Sequence, residues 1–335
     1  MKKYLFIYLL SILSVSAFAQ GDLNDLLKGS VADANRLIEG YSSPMLKSFG
    51  YGLNQGWYNT AKPHKSFGVD LTVSVSAVYI PNSDLFYTVK NSELKNIQLE
   101  SIGGTAITNG TGSVPTVFGP EIKPRYGIPS TNSSVDAPGG IDLKKSIGVQ
   151  AIPIPIAHLG IGLPKGFDLK VRFVPTLNLG SDTKFNLFGV GVMHDLKQYM
   201  PGVKSLPFDL SAFVGYTKMK LDVSLDPTLH PDQKAIFESS ATTIQGLISK
   251  KISVLTFYGG IGYNIANNKL AMKGNYDLDQ DGKTDITDPI NIKAESNGLR
   301  TTAGLRLKLA VFTFHGDYTI QKYNTLTVGF GINVR

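Results

Sequence analysis

The stretch DLDQDGKTDITDP places Asp277, Asp279 and Asp281 at alternate positions, with Gly282 next in line. In a calcium loop these are positions 1, 3, 5 and the glycine turn at 6. Lys283 then falls at 7, where a backbone carbonyl serves, Asp285 at 9 and Asp288 at 12. Hard carboxylate oxygens converging on one point repel one another unless a cation sits between them. The pattern therefore predicts a structural Ca2+ that stiffens a surface loop. Position 12 is Asp rather than the Glu of EF-hands, and Pro289 follows at once, with no flanking-helix pattern. A solvated acidic loop is the competing reading.

Other chemistry-bearing residues sit in alternating segments. In GLRTTAGLRLKL, Arg300, Arg306 and Lys308 share one face. In FTFHGDYTI, His315 and Asp317 do so, and in FDLKVRFV Arg172 does. A basic inner surface favours anionic solutes or a carboxylate head group. A solvated, hydrogen-bonded interior is the competing account. His315 and Asp317 are the one base–orienter pair worth weighing for hydrolysis, but no G-x-S-x-G accompanies them. Phosphate loops and nucleotide fingerprints are missing too, so the chain is not expected to be an enzyme.

These residues need elements to position them, and the chain supplies strands. In TLTVGFGINV, Leu326, Val328, Phe330, Ile332 and Val334 alternate with small or polar residues. Period two marks a strand with one apolar and one polar face. The segments FGVDLTVSVSAVYI, FDLKVRFVPTLNL, TKFNLFGVGVMHDL and AVFTFHGDYTIQ repeat the pattern. Their length matches a tilted membrane-crossing strand and exceeds the soluble mode of about 5–6 residues. Short and long connections alternate, as in outer-membrane barrels.

The expected fold is an all-β, antiparallel transmembrane barrel of about 12–14 strands. Tyr79, Phe86, Tyr258, Tyr263 and Tyr318 are candidates for its interfacial aromatic girdles. Pro153 and Pro155 suggest that QAIPIPIAHLGIGLPKG is a sheet edge or an irregular passage. Residues 101–140 read as a long loop.

The amino terminus reads MKKYLFIYLLSILSVSAFAQ: two lysines, a short apolar core and Ala17-Phe18-Ala19 before Gln20. This is the pattern of a cleaved signal peptide over residues 1–19. Its removal takes two lysines from a net charge of +7, leaving +5. That is a mild bias and no sign of nucleic-acid binding. With no cysteine in the chain, neither disulfides nor a lipidated amino terminus can form. Leu23, Leu27, Val31, Ala34 and Ile38 follow at helical spacing, and Gly40 reads as the stop. Residues 20–66 thus form a helical and irregular plug, with Phe49, Trp57 and Tyr58 as its candidate contact residues. Residues 67–335 form the barrel.

A helix and irregular segment ahead of a roughly fourteen-stranded barrel resembles the FadL-like long-chain fatty-acid outer-membrane transporters. The stretches GWYNTAKPHKSFGVDLTVSVSAVYIP, GLPKGFDLKVRFVP and GVGVMHDLKQYMPGVKSLPFDLSAFVGYTK resemble a Gram-negative barrel family allied to them by architecture. That second resemblance covers most of the mature chain and brings no known activity. The first implies passive, porin-like uptake of hydrophobic small molecules past a gating plug. The transporters' Asn-Pro-Ala signature is missing near the mature amino terminus, so no functional residue is carried over. The expected partners are outer-membrane lipid and a hydrophobic small-molecule ligand. Two alternatives stay open: a structural or surface-interaction barrel without transport, and a soluble periplasmic ligand-binding β protein.

Overall fold

The computed structural model describes residues 26–334, leaving out 181, 203, 227, 229 and 280. The signal-peptide reading and the start of the plug lie outside the described residues.

Eleven strands form the main sheet. They are β1 (Val69–Tyr79), β2 (Ala151–Leu163), β3 (Phe167–Leu179), β4 (Thr183–Asp195), β5 (Asp209–Asp226) and β6 (His230–Ile252). Then come β7 (Leu255–Lys273), β8 (Ile290–Glu295), β9 (Gly298–Leu309), β10 (Phe312–Ile320) and β11 (Thr325–Val334). Consecutive strands pair antiparallel, β1 pairs with β11, and the ring closes. Only β8 stands outside the ring: it pairs with the far half of β7 and continues the line of β9 after a break at residues 296–297.

The ring therefore has ten strands, not 12–14. The excess came from residues 81–150. They form short strands, such as Phe86–Lys90 on Thr111–Pro115 and Gln98–Ile102 on Pro124–Ile128, in an extension beyond one rim. Residues 101–140 are accordingly not one loop.

Alternation sets the two faces of the wall. Outward residues include Leu299 at 79% exposure, Phe173 at 68% and Ile261 at 67%. Val73, Phe188, Phe257, Phe314 and Val328 continue this apolar surface around the ring. Water-soluble monomers do not carry an apolar belt on this scale, and hydrocarbon is the medium that such a belt suits. Tyr258, expected in an aromatic girdle, is buried and faces the lumen, because its phase in β7 is opposite to that of Phe257. Phe86 lies in the extension rather than in the wall.

Helix α1 (Val31–Leu53) is capped by Ser30, whose Oγ accepts the Asp33 N–H. It runs through both Gly40 and Pro44. The expected stop fails because the glycines serve close packing instead. A Cβ on Gly40 would meet the Tyr87 ring at 2.3 Å, and one on Gly52 would meet Ile154 at 2.2 Å. The Asp33 carboxylate accepts the N–H groups of Lys95, Asn96 and Ile97 and so ties the helix to the extension. Leu46, Phe49 and Leu53 share an apolar core with inward residues Ile154, Ile156, Leu187, Met219 and Phe237.

Replacing Val328 by Arg, near the middle of β11, is expected to destabilise the folded barrel in lipid by about 2–4 kcal/mol. Urea-dependent folding into vesicles measures this. An unchanged midpoint would mean that the belt faces something other than hydrocarbon.

Candidate functional site

Past Leu53 the chain is neither helix nor strand, yet residues 53–64 run down the inside of the ring. Backbone polar groups there need partners, and wall residues on the inward phase provide them. Arg172 donates to the carbonyls of Leu53 (2.7 Å) and Gln55 (2.5 Å). Arg300, on the other side of β1, donates to the Asn54 carbonyl (2.8 Å) and to Gln55 Oε1 (2.7 Å). The Arg172 guanidinium also lies 3.4 Å from the Trp57 ring centre, a cation–π contact. Inward Gly191 and Gly215 make room for the indole: a Cβ at either would come within 3.0 Å of it.

Further down, Tyr58 donates to Gln245 Oε1 (2.6 Å), and the Ala61 carbonyl accepts from Ser211 Oγ (2.6 Å). Ser249 Oγ accepts the Ala61 N–H (3.0 Å). His64 Nδ1 is 2.7 Å from Asp168 Oδ2, and its other ring nitrogen meets Asn333. These wall partners come from β3, β5, β6, β9 and β11, so the threaded segment is held from all sides.

The lower lumen holds a second polar group. Lys170 Nζ lies 3.7 Å from both Asp70 and Asp168, and His158 Nε2 lies 3.6 Å from Asp70. Arg306 and His315 are cross-strand neighbours. Arg306 Nε and both His315 ring nitrogens are buried without a hydrogen-bond partner among the described residues. Asp317 accepts from Tyr258 (2.8 Å).

The six lumen candidates thus divide by task. Arg172 and Arg300 clamp the threaded segment. Arg306 and His315 adjoin each other, Asp317 pairs with Tyr258 rather than with His315, and Lys308 reaches Asn333 near the rim. Of the plug candidates, Trp57 and Tyr58 lie in the lumen, while Phe49 packs edge-on against Phe237 with ring centres 5.1 Å apart. Sequence reasoning passed over Asp70, His158, Asp168, Lys170 and Gln55. The signal for Asp70, Asp168 and Lys170 was their phase, since each shares the inward face of its strand with residues already read as polar. His158 shares its inward face with Ile152, Ile154 and Ile156 and carried no such signal.

In the acidic loop the carboxylates of Asp277, Asp279 and Asp285 lie within 4.8 Å of one another. The carboxylates of Asp281 and Asp288 are not among them. Asp281 accepts the Lys283 N–H (2.8 Å) and pairs with Lys283 Nζ (3.2 Å). Asp288 pairs with Lys273 and accepts the Gly274 N–H, which holds its carboxyl below the usual carboxylate range. Gly282 takes the turn with φ +87°.

A closed antiparallel ring with an apolar outer belt and a chain threaded through its lumen is a plugged membrane-spanning β-barrel. The chain belongs to the family described as a family of unknown function, DUF6588, whose model matches residues 1–334. A search of curated proteins finds no match.

Among solved structures, the attachment invasion locus protein Ail of Yersinia pestis, with a heparin analogue, is 6% identical, with a TM-score of 0.30. That match covers 80% of this chain and 98% of Ail. The translocator domain of the autotransporter NalP from Neisseria meningitidis is 10% identical, with a TM-score of 0.29, covering 95% and 100% of the two chains. A porin mutant from Rh. blastica is 7% identical, with a TM-score of 0.20, covering 80% and 99%. These likenesses are too distant to place a residue or an activity.

Replacing Arg172 by Ala would leave the Leu53 and Gln55 carbonyls without their wall donor, at about 1–3 kcal/mol for each buried group. Trp57 is the sole tryptophan and reports the change directly. Its emission is expected to shift to the red, and the 53–64 segment to become cleavable by added protease, while the barrel keeps its heat-dependent gel shift. Unchanged emission and cleavage would show that the clamp lies elsewhere.

Proposed function

We propose that this chain is a closed outer-membrane barrel that anchors the 81–150 extension and presents it at the cell surface, without enzymatic activity. The occupied lumen carries this reading. Residues 53–64 fill the ring and are hydrogen-bonded to its wall at Arg172 and Arg300. Orientation follows from loop length. One rim holds both ends of the barrel chain, the tight turns at 164–166, 253–254 and 310–311, and the 196–208 connection. The opposite rim holds the 81–150 extension and the 274–297 insertion. In outer-membrane barrels the short turns face the periplasm and the longer loops face outward.

A second reading, passive uptake of hydrophobic, fatty-acid-like molecules, draws on one observation. The upper lumen, between α1 and the wall, is apolar where the lower lumen is polar. On this reading the threaded segment moves to let a ligand pass.

The absence of cysteine makes single-cysteine labelling clean. Ala106→Cys in the extension is expected to react on intact cells with a membrane-impermeant maleimide, and Lys204→Cys at the other rim only after lysis. The reverse pattern would overturn the anchor reading. Supplied with a fluorescent long-chain fatty acid, cells are expected to take it up at the same rate with or without the protein. Uptake that tracks expression would carry the second reading instead.

We also propose that Asp277, Asp279 and Asp285 hold a structural Ca2+, on the strength of their convergence and of the D-x-D-x-D-G pattern. Calorimetric titration of Ca2+ into the full chain is expected to give one weak site that Asp279→Asn removes. No heat in the unmodified protein would leave a self-bonded acidic loop.

A further inference from the structure

The pairing of β2 with β3 is incomplete. It runs from Leu163↔Phe167 to Leu159↔Val171 and stops. Above that level β2 is held only by β1, up to Tyr79↔Ala151, and β3 only by β4, up to Leu179↔Thr183. The two strands part within the lipid-facing belt, between Leu159 and Phe173, which are 51% and 68% exposed. Pro175, Thr176, Leu177 and Asn178, which span both faces of β3, are exposed among the described residues.

Prolines sit along this seam. The Ile80 N–H donates to the Gln150 carbonyl and the Gly162 N–H to the Gly68 carbonyl. Even-numbered residues of β2 therefore direct their backbone groups at β1, and odd-numbered ones at β3. Pro153 and Pro155 are odd, so the N–H groups they lack are ones that would have pointed into the gap. If the lower register continued, Pro155 would lie opposite Pro175, which itself falls at the bulge of β3 between Leu187↔Val174 and Phe185↔Leu177. The seam thus cannot zip as a ladder. Its β2 edge also lacks donors that a polar occupant would need. Behind it stand inward Ile152, Ile154 and Ile156 of the apolar upper lumen.

We propose that the β2–β3 seam is an intramembrane cleft that binds one acyl chain of a bilayer lipid. A hydrocarbon chain makes no use of the two N–H groups that Pro153 and Pro155 lack. It meets apolar side chains both at the mouth and behind. The proposal rests on the barrel standing in a bilayer and on neither reading of its function, since a resident chain does not have to pass through.

The test reconstitutes the full chain in vesicles containing phosphatidylcholine with a diazirine in its acyl chain, followed by illumination and peptide mapping. Adducts are expected on the inward residues Ile154, Ile156 or Val174 as well as on outward Leu159 and Phe173. Adducts confined to outward residues would overturn the cleft while leaving the barrel in its membrane. An Ala157→Cys, Phe173→Cys pair, at positions that the lower register would bring face to face, closes the seam when oxidised. Inward adducts are expected to vanish on oxidation and return on reduction, and their persistence would also overturn the proposal. If the pair disturbs assembly, shown by loss of the heat-dependent gel shift, the map of the unmodified chain decides.

Discussion

Irregular backbone inside a barrel needs its carbonyls and N–H groups answered by side chains, because no ladder is there to answer them. Residues 53–64 depend on this, and Arg172 and Arg300 meet the first and most demanding part of it. A guanidinium presents a planar fork of donors, so each arginine holds two acceptors on the threaded segment at once. Both side chains are buried, and neither pairs with an acid in a salt bridge among the described residues. Each charge is instead spread over carbonyl, amide and hydroxyl oxygens, and over the Trp57 ring for Arg172. Other choices follow from this clamp: glycine at 191 and 215 so that the indole fits, and Gln55 to bridge Arg300 and Thr319.

The lumen changes character along its height, and single strands show it. β2 turns Ile152, Ile154 and Ile156 inward near the extension, then His158. β5 turns Leu221 and Met219 inward above Thr217 and Ser211, and β7 turns Met272 and Leu270 inward above Asn264 and Thr256. The upper half matches the apolar flank of α1, while the lower half matches an extended segment full of exposed backbone. Helix and extended chain thus demand different walls. Period two is kept throughout, and only the chemistry of the inner face switches.

That switch explains what the sequence disclosed. β1, β9, β10 and β11 line the polar lower lumen with one face and meet lipid with the other. Their alternation is clean, and Arg300, Arg306, His315 and Asp317 could be placed on one face from it, as Arg172 could from the lower half of β3. β2 is apolar on both faces over Ile152–Ile156, so its period vanished and its prolines looked like breaks. Pro153 and Pro155 did mark an edge, but a local one inside a closed ring, and only the register with β3 reveals it. Gly40 misled for a related reason. A glycine that ends a helix and one that lets a helix touch Tyr87 are the same letter, and the contact partner lies 47 residues away in the extension. The excess strand count arose over residues 85–160, where alternation is poor and strands such as Phe86–Lys90 lack the length to cross a bilayer.

Threading gives the barrel a resting state. α1 begins at the rim that bears the extension, and the segment leaves beside β1 at the other rim. Sliding in either direction breaks contacts along the whole path. The four arginine bonds alone are worth about 1.5–3 kcal/mol each as hydrogen bonds to charged groups. Asp33 on Lys95, Asn96 and Ile97, and Asn35 with the backbone of Pro289 and Asn291, fasten the top of the helix as well. With the helix fixed at one rim and His64 fixed to Asp168 at the other, the segment can neither retract nor advance as a rigid piece. Local release around Leu53–Gln55 would break the bonds to the one pair of arginines that holds the chain there. In this structure the threaded segment therefore occupies the lumen, with Arg172 and Arg300 as its first hold past the helix.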